Sequence, residues 1–279
     1  MESPDLPDAE LAAAPNRTEG PERRAAEGTV GIFAGLADVY DDVLPFFATC
    51  GRRFAEWLAP TPGTRWVDLG AGRGAVSGPV AARGAQVLAT DAAPAMLRRL
   101  RCEHPGIGVA VMDARSLALA PGSADAVTAA FLIHLVDGPE RVLAEAVRVL
   151  RPGGVLALAG FEPSADGPAW QRCSELLRDF WQYARPGARP PWRPVDPDAL
   201  LRDAGLGTPE VDVFTVHLPF EEPDLFWQWM STQGQRVLVE ALPENRRREL
   251  RALLHAEVSA MNPREYQRGV AFRRVRTPD

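Results

Sequence analysis

Residues 67–74 read Val67-Asp68-Leu69-Gly70-Ala71-Gly72-Arg73-Gly74, an apolar run that stops at an acid and opens into alternating glycines. Glycine reaches backbone conformations closed to other residues and lets the chain pass close to a ligand with no Cβ in the way. At the end of a strand and the start of a helix, such a loop also offers unpaired N–H groups. Alone it would equally be a plain strand-to-helix turn, so its weight depends on residues further along the chain. A nucleoside lying over the carboxyl ends of adjacent strands calls for an acid, about 20 residues on, to accept from its ribose hydroxyls. Asp91 stands there, ahead of Pro94-Ala95-Met96-Leu97. A simple helix N-cap is the alternative role for it.

Outward from this loop, strands are expected at Arg65–Leu69, Ala85–Thr90, Ile107–Met112, Ala124–Ile133 and Val155–Gly160. They are mostly continuous apolar runs, the pattern of parallel strands buried on both faces. The helices between them are punctuated by Gly84, by Pro94, and by Pro139 with Glu140. Alternating βα units of this kind give an α/β fold with a doubly wound, mostly parallel sheet.

Two helices are expected at 29–60, broken at Pro45, ahead of a main domain at 61–279. Within that domain, helical insertions at about 161–195 and 222–262 would lie over the sheet as lids. The first carries Trp170, Cys173, Leu176, Leu177, Phe180, Trp181 and Ala184 at helical spacing, then a proline-rich loop. Val211–Leu218 and Gly269–Val275 read as the last two strands. Residues 1–28 are rich in proline, alanine and charge, a composition that buries too little surface to order itself, and are expected to be a disordered tail.

The chain has 279 residues, 46% of them hydrophobic, enough for a sizeable core, and a net charge of −6. An acidic chain argues against a nucleic-acid partner, which calls for a basic face. The clusters Arg246, Arg247, Arg248 and Arg273, Arg274, Arg276 read as solvated faces. Three cysteines and four histidines are scattered without metal-ligand spacing, so no metal site is expected. No charged leader or bilayer-length apolar run is seen, and the expected setting is a reducing cytoplasm without membrane attachment. A homodimer is compatible with all of this.

The ordered series of motifs resembles the class I S-adenosylmethionine-dependent methyltransferases of the small-molecule type. Asp68 to Gly74 matches their acidic-x-Gly-x-Gly-x-Gly loop, Asp91 to Leu97 their ribose-binding acid and following helix, and Met112-Asp113-Ala114 their adenine-binding turn. Arg148-Val149-Leu150-Arg151-Pro152-Gly153-Gly154-Val155-Leu156 matches the helix-turn-strand that leads into their fifth strand. The resemblance implies a Rossmann-like, seven-stranded sheet whose last strand inserts antiparallel beside the fifth. It implies S-adenosylmethionine as cofactor, leaving S-adenosylhomocysteine as product. It also implies roles: Gly70, Ala71 and Gly72 pass the methionine end, Asp68 orders its ammonium, and Tyr40 closes over it. Asp91 and Ala92 face the ribose, while Met96, Asp113 and Ala114 hold the adenine, with Phe131 at the end of the fourth strand beside them. Ala93 departs from the capping serine common in the family, at a cost of about 1 kcal/mol of capping.

Methyl transfer asks chiefly for alignment and exclusion of water, plus a base where the acceptor is a hydroxyl. His134, just past the fourth strand, is the candidate base; a purely structural histidine is the alternative. Phe33, Trp170, Trp181, Trp192, Trp227 and Met230 are the candidate acceptor contacts, since small-molecule sites favour apolar, aromatic walls, although helical spacing makes some of them plain core. The expected activity is methylation at oxygen or carbon of a small apolar or aromatic metabolite, in secondary metabolism. A peptide or protein methyltransferase, or a scaffold that binds the nucleoside without methyl transfer, are the alternatives.

Overall fold

The computed structural model describes residues 21–278, with side chains from Gly28 onward. Residues 1–20 of the expected tail lie outside the described residues. The rest of that stretch, from residue 21, is helical and belongs to α1 (Pro21–Ala34). Its continuation is shorter than expected. From Gly35 the chain turns, with Leu36 N–H donating to Phe33 O and Val39 N–H to Leu36 O, until α2 (Phe46–Leu58) starts. Pro45 offers α2 no side-chain cap. Asp41 supplies one from further back: its backbone is left-handed (φ 64°), and its carboxylate accepts from the N–H groups of Phe47 (2.9 Å) and Ala48 (2.7 Å).

The sheet then builds as β1 (Arg65–Leu69), the single-turn α3 (Ser77–Ala81), β2 (Gln86–Asp91), α4 (Pro94–Glu103), β3 (Gly108–Val111), β4 (Ala124–Ala130), α5 (Pro139–Val149) and β5 (Leu150–Phe161). The first insertion carries α6 (Pro168–Phe180), prolonged by a 3-10 turn at Trp181–Tyr183. After the proline-rich loop come α7 (Pro197–Asp203) and β6 (Glu210–Pro219). The second insertion is three helices, α8 (Pro223–Ser231), α9 (Arg236–Ala241) and α10 (Glu244–Ser259), and β7 (Glu265–Arg276) closes the chain. Asp196 caps α7 by accepting from Asp198 N and Ala199 N, each at 3.0 Å.

The seven strands lie in the order β3-β2-β1-β4-β5-β7-β6, all parallel except β7, which is antiparallel to both of its neighbours. Strand order reverses between β1 and β4, so the crevice at their carboxyl ends is where such a sheet receives a ligand. Strand β7 begins at Glu265, ahead of the expected Gly269, because Glu265 to Arg268 pair with Val216 to Pro219 of β6, and two further boundaries differ from the apolar pattern. β4 stops at Ala130 and not at Ile133, because Phe131 takes a left-handed backbone (φ 54°) that breaks the ladder. β5 begins at Leu150, through Pro152-Gly153-Gly154, and a register shift between Ala124 and Ala126 absorbs the irregularity.

Apolar residues pack both faces. One core joins Phe54, Phe226, Leu238, Leu250 and Phe272, so that the two insertions and α2 share it; the other joins Leu69, Val127, Leu143, Leu156 and Leu201 under α5 and α7. Arg273, expected on a solvated face, is instead buried on β7 and paired with Asp198 of α7. No helix among the described residues is long and apolar enough to cross a membrane.

Candidate functional site

The glycine loop is wired into its neighbours. Ala71 N–H donates to Thr90 O at 2.9 Å, Gly72 N–H donates to Asp91 Oδ2 at 2.9 Å, and Gly74 N–H returns to Ala71 O at 2.8 Å. Helix α3 starts only at Ser77. The helix start expected directly behind the glycines is therefore corrected: the loop is shaped by turns and by Asp91. Gly70 (φ 64°) and Gly72 (φ 54°) need the left-handed backbone that glycine permits. A Cβ on Gly70 would lie 2.8 Å from Leu132 Cδ1, whereas one on Gly72 would meet nothing, so the bare backbone there borders open space.

Asp68 is sealed beneath the loop. Ser77 Oγ donates to its Oδ2 at 2.6 Å and Thr128 Oγ1 to its Oδ1 at 2.7 Å. Burial lifts its pKa to about 6, against the pull of those two hydroxyls. Asp91 accepts from Gly72 N–H on one oxygen and from Ala93 N–H (2.8 Å) on the other, and Ala92 N–H donates to the carboxylate as well, so about one of its four acceptor sites is left for a ribose hydroxyl. Burial raises its pKa as well, opposed by the backbone N–H groups of Ala93, Gly72 and Ala92. The bond to Ala93 N–H also closes the start of α4, where Ala93 has no capping side chain and Pro94 follows.

Every residue nominated for the cofactor borders one cavity of about 1260 Å³. Asp68, Gly70, Ala71 and Gly72 lie at the end of β1, Asp91 and Ala92 at the end of β2, and Met96 on α4. Asp113 and Ala114 follow β3, Phe131 follows β4, and Tyr40 closes the N-terminal side. Tyr40 stacks on Phe47 (5.1 Å, 18°) and meets Phe33 edge-on. Burial pushes its hydroxyl pKa well up, with the charges of Asp41 and Asp91 adding to the effect. Asp113 accepts from Arg115 through the backbone N–H (2.9 Å) and the guanidinium (NH2 at 2.7 Å). Arg73 was not nominated, yet it holds the wall together. It donates to Tyr40 O (2.7 Å), Asp42 Oδ1 (2.7 Å) and Glu103 Oε1 (2.6 Å), pinning the segment before α2 to the glycine loop and α4.

A second cavity of about 1090 Å³ opens where β5 and β7 meet both insertions. The two chambers share Phe33, Tyr40, Phe47, Phe131, Leu135 and Trp192 as a common wall. His134, Trp170 and Trp181 border the second chamber. His134 lies edge-on to Phe161 (5.5 Å), and burial, with the Arg268 charge, lowers its pKa to about 4. Two nominated acceptor contacts are corrected. Met230 is wholly enclosed in the core and Trp227 packs outside the chamber, with Arg251 above its ring; Trp229 and Gln233 border the chamber in their place. The wall also includes the polar residues Asp166 and Arg268, which composition alone did not single out.

Comparison with known proteins fits this geometry. A family profile described as a methyltransferase domain matches residues 67–158. Nocamycin O-methyltransferase of Saccharothrix syringae is 30% identical over 258 residues, covering 82% of this chain and 90% of that protein. Demethylmenaquinone methyltransferase of Renibacterium salmoninarum is 38% identical over 133 residues, or 47% of this chain and 56% of that one. Malonyl-(acyl-carrier protein) O-methyltransferase of Methylococcus capsulatus is 39% identical over 141 residues, 47% and 51% respectively. The match thus spans about half the length of these last two. Among solved structures, a protein of Anabaena variabilis described as a methyltransferase from an antibiotic biosynthesis pathway superposes with a TM-score of 0.57 at 18% identity, over 79% of this chain and 96% of that one. A methyltransferase structure from Bacillus halodurans gives 0.56 at 18%, over 81% and 98%. At that identity the structures speak for the fold alone; the long match to the Saccharothrix protein carries the family, and the chain belongs to the class I S-adenosylmethionine-dependent methyltransferases.

Proposed function

We propose that this chain transfers a methyl group from S-adenosylmethionine to oxygen or carbon of a small acceptor with an apolar or aromatic body. The observation that carries the reading is the pair of chambers with a common aromatic wall, one bordered by the glycine loop and Asp91, the other by tryptophans of the two insertions. The first chamber suits the cofactor by its lining: the Asp91 carboxylate at the end of β2, a bare glycine backbone, and the buried Met96 side chain as an apolar surface. Asp91 would hold the ribose, Asp68 the ammonium end, and Met96, Asp113 and Ala114 the base. When bound, the cofactor supplies an electrophilic methyl on a sulfonium.

The protein's own work is to bind, orient and exclude water. Tyr40, Phe47 and Phe131 form an aromatic partition between the chambers. His134 presents a neutral imidazole to the acceptor chamber. With a pKa of about 4 it is a weak base, matched to an acceptor whose own proton is readily lost, and its edge-on contact with Phe161 fits a positioning part. Relatives named as a nocamycin O-methyltransferase and a ubiquinone/menaquinone biosynthesis C-methyltransferase support oxygen or carbon as the target atom. A chamber walled by Trp170, Trp181, Trp192 and Trp229 also favours an apolar or aromatic acceptor.

The test is incubation with methyl-labelled cofactor and metabolite extracts. Label in low-molecular-weight, organic-soluble product supports the reading. Label in the protein fraction overturns it for a peptide substrate, and no label with a protein that binds S-adenosylhomocysteine overturns it for a non-catalytic scaffold.

A further inference from the structure

The acceptor chamber is apolar on most of its wall, yet four arginines border it, of which Arg178 is exposed at the rim, Arg193 pairs with Asp137, and Arg268 and Arg273 are largely enclosed. Arg268, on β7, has a side chain only 14% exposed and lies over the ring of Phe161 (4.4 Å) and near that of Trp170 (5.4 Å). Its NH1 donates to Asp166 Oδ2, and the other Asp166 oxygen accepts from Gly269 N–H at 2.8 Å. Among the described residues, that is the whole of its side-chain hydrogen bonding. Its Nε and NH2 have no acceptor there, and they are not among the sealed donors, so they remain reachable from the chamber that the side chain borders. The buried arginine beside it is different: Arg273 is spent on Asp198 through both Nε (2.8 Å) and NH2 (3.1 Å).

The rings of Phe161 and Trp170 beside Arg268 keep the local dielectric low, which strengthens a charge-assisted bond to an oxyanion. His134, held neutral by burial and by the Arg268 charge, offers such an anion no competing cation.

We propose that Arg268 is the specificity determinant of the acceptor chamber, and that it anchors an apolar-bodied acceptor by an acidic oxygen group of the carboxylate class through its free Nε and NH2. Asp166 is the positioning residue that holds the guanidinium against Phe161. This rests on the second chamber being the acceptor site, as the functional reading has it.

The experiment uses the full chain loaded with S-adenosylhomocysteine and paired probes, naphthoate with naphthamide and decanoate with decanamide, followed by tryptophan emission. The acids are expected to bind at least about tenfold more tightly than their amides. Arg268→Gln erases the preference, Arg268→Lys keeps part of it, and cofactor-product affinity is unchanged in both. Should Arg268→Gln fail to fold because Asp166 is left unpaired, Asp166→Asn/Arg268→Gln removes both charges together and gives the same readout. Equal binding of acids and amides, binding of neither, or an acid preference that survives Arg268→Gln overturns the assignment. A chain that cannot be loaded with S-adenosylhomocysteine defeats the functional reading itself, whereas loading without acid preference defeats only the role of Arg268.

Discussion

Asp68 and Asp41 are both carboxylates that burial lifts to about 6, the first under the glycine loop and the second at the start of α2. In each, folding penalises the charged form. The ligand-free protein therefore loses stability as pH rises from the ordinary 3.8 to about 6, where the unfolded chain has already released the proton. Affinity for the cofactor product runs the other way. With Asp68 in its proposed role as partner of the ammonium, only the ionised carboxylate binds it, so S-adenosylhomocysteine affinity is expected to be full above about pH 7 and to fall by up to about tenfold per pH unit below about 6. Calorimetry across that range checks this, and Asp68→Asn should flatten the slope; an unchanged slope in the variant removes Asp68 from the ammonium site. Asp68 and Asp91 were legible because their spacing from the glycines reflects the strand they end. Asp41 and Arg73 were not, since a cap six residues back and a bond across 33 residues leave no periodic trace.

The elements were legible to different degrees, and for physical reasons. Parallel strands show as apolar runs because both faces are covered. The end of β4 was misread because Phe131 is apolar yet left-handed, and apolar pattern carries no information about φ. In α8 the helical spacing did not separate wall from core, since Phe226, Trp229 and Met230 are all enclosed while only Trp229 also borders the second chamber. Helix α2 makes a close approach that composition hid. A Cβ on Gly51 would lie 1.9 Å from Ala75 O, so this helix rests directly on the backbone just past the glycine loop. Gly51→Ala should push the two apart, lowering stability by about 1–3 kcal/mol and weakening S-adenosylhomocysteine binding along with it. Chemical denaturation read beside a binding titration checks both, and a variant with native midpoint and native affinity would show that the contact does not shape the loop.

At the scale of the molecule, the seven-stranded sheet presents the carboxyl ends of its strands to two joined chambers. The order of β1 to β5 builds the first, and the insertions with β7 build the second. The division matches what could be read in advance. The motifs tied to strand ends all border the first chamber, whereas the second is walled by insertions that meet only through tertiary packing, as where a Cβ built on Gly234 would lie 3.3 Å from the Trp192 ring. The proposed methyl transfer requires that the first chamber hold the cofactor against Asp91. The most direct measurement is calorimetric titration of the folded chain with S-adenosylhomocysteine beside Asp91→Ala. Saturable binding by the native protein, weakened at least about tenfold in a variant that keeps its fold, is the predicted result. No binding by the native protein, or equal binding by the variant, would contradict it.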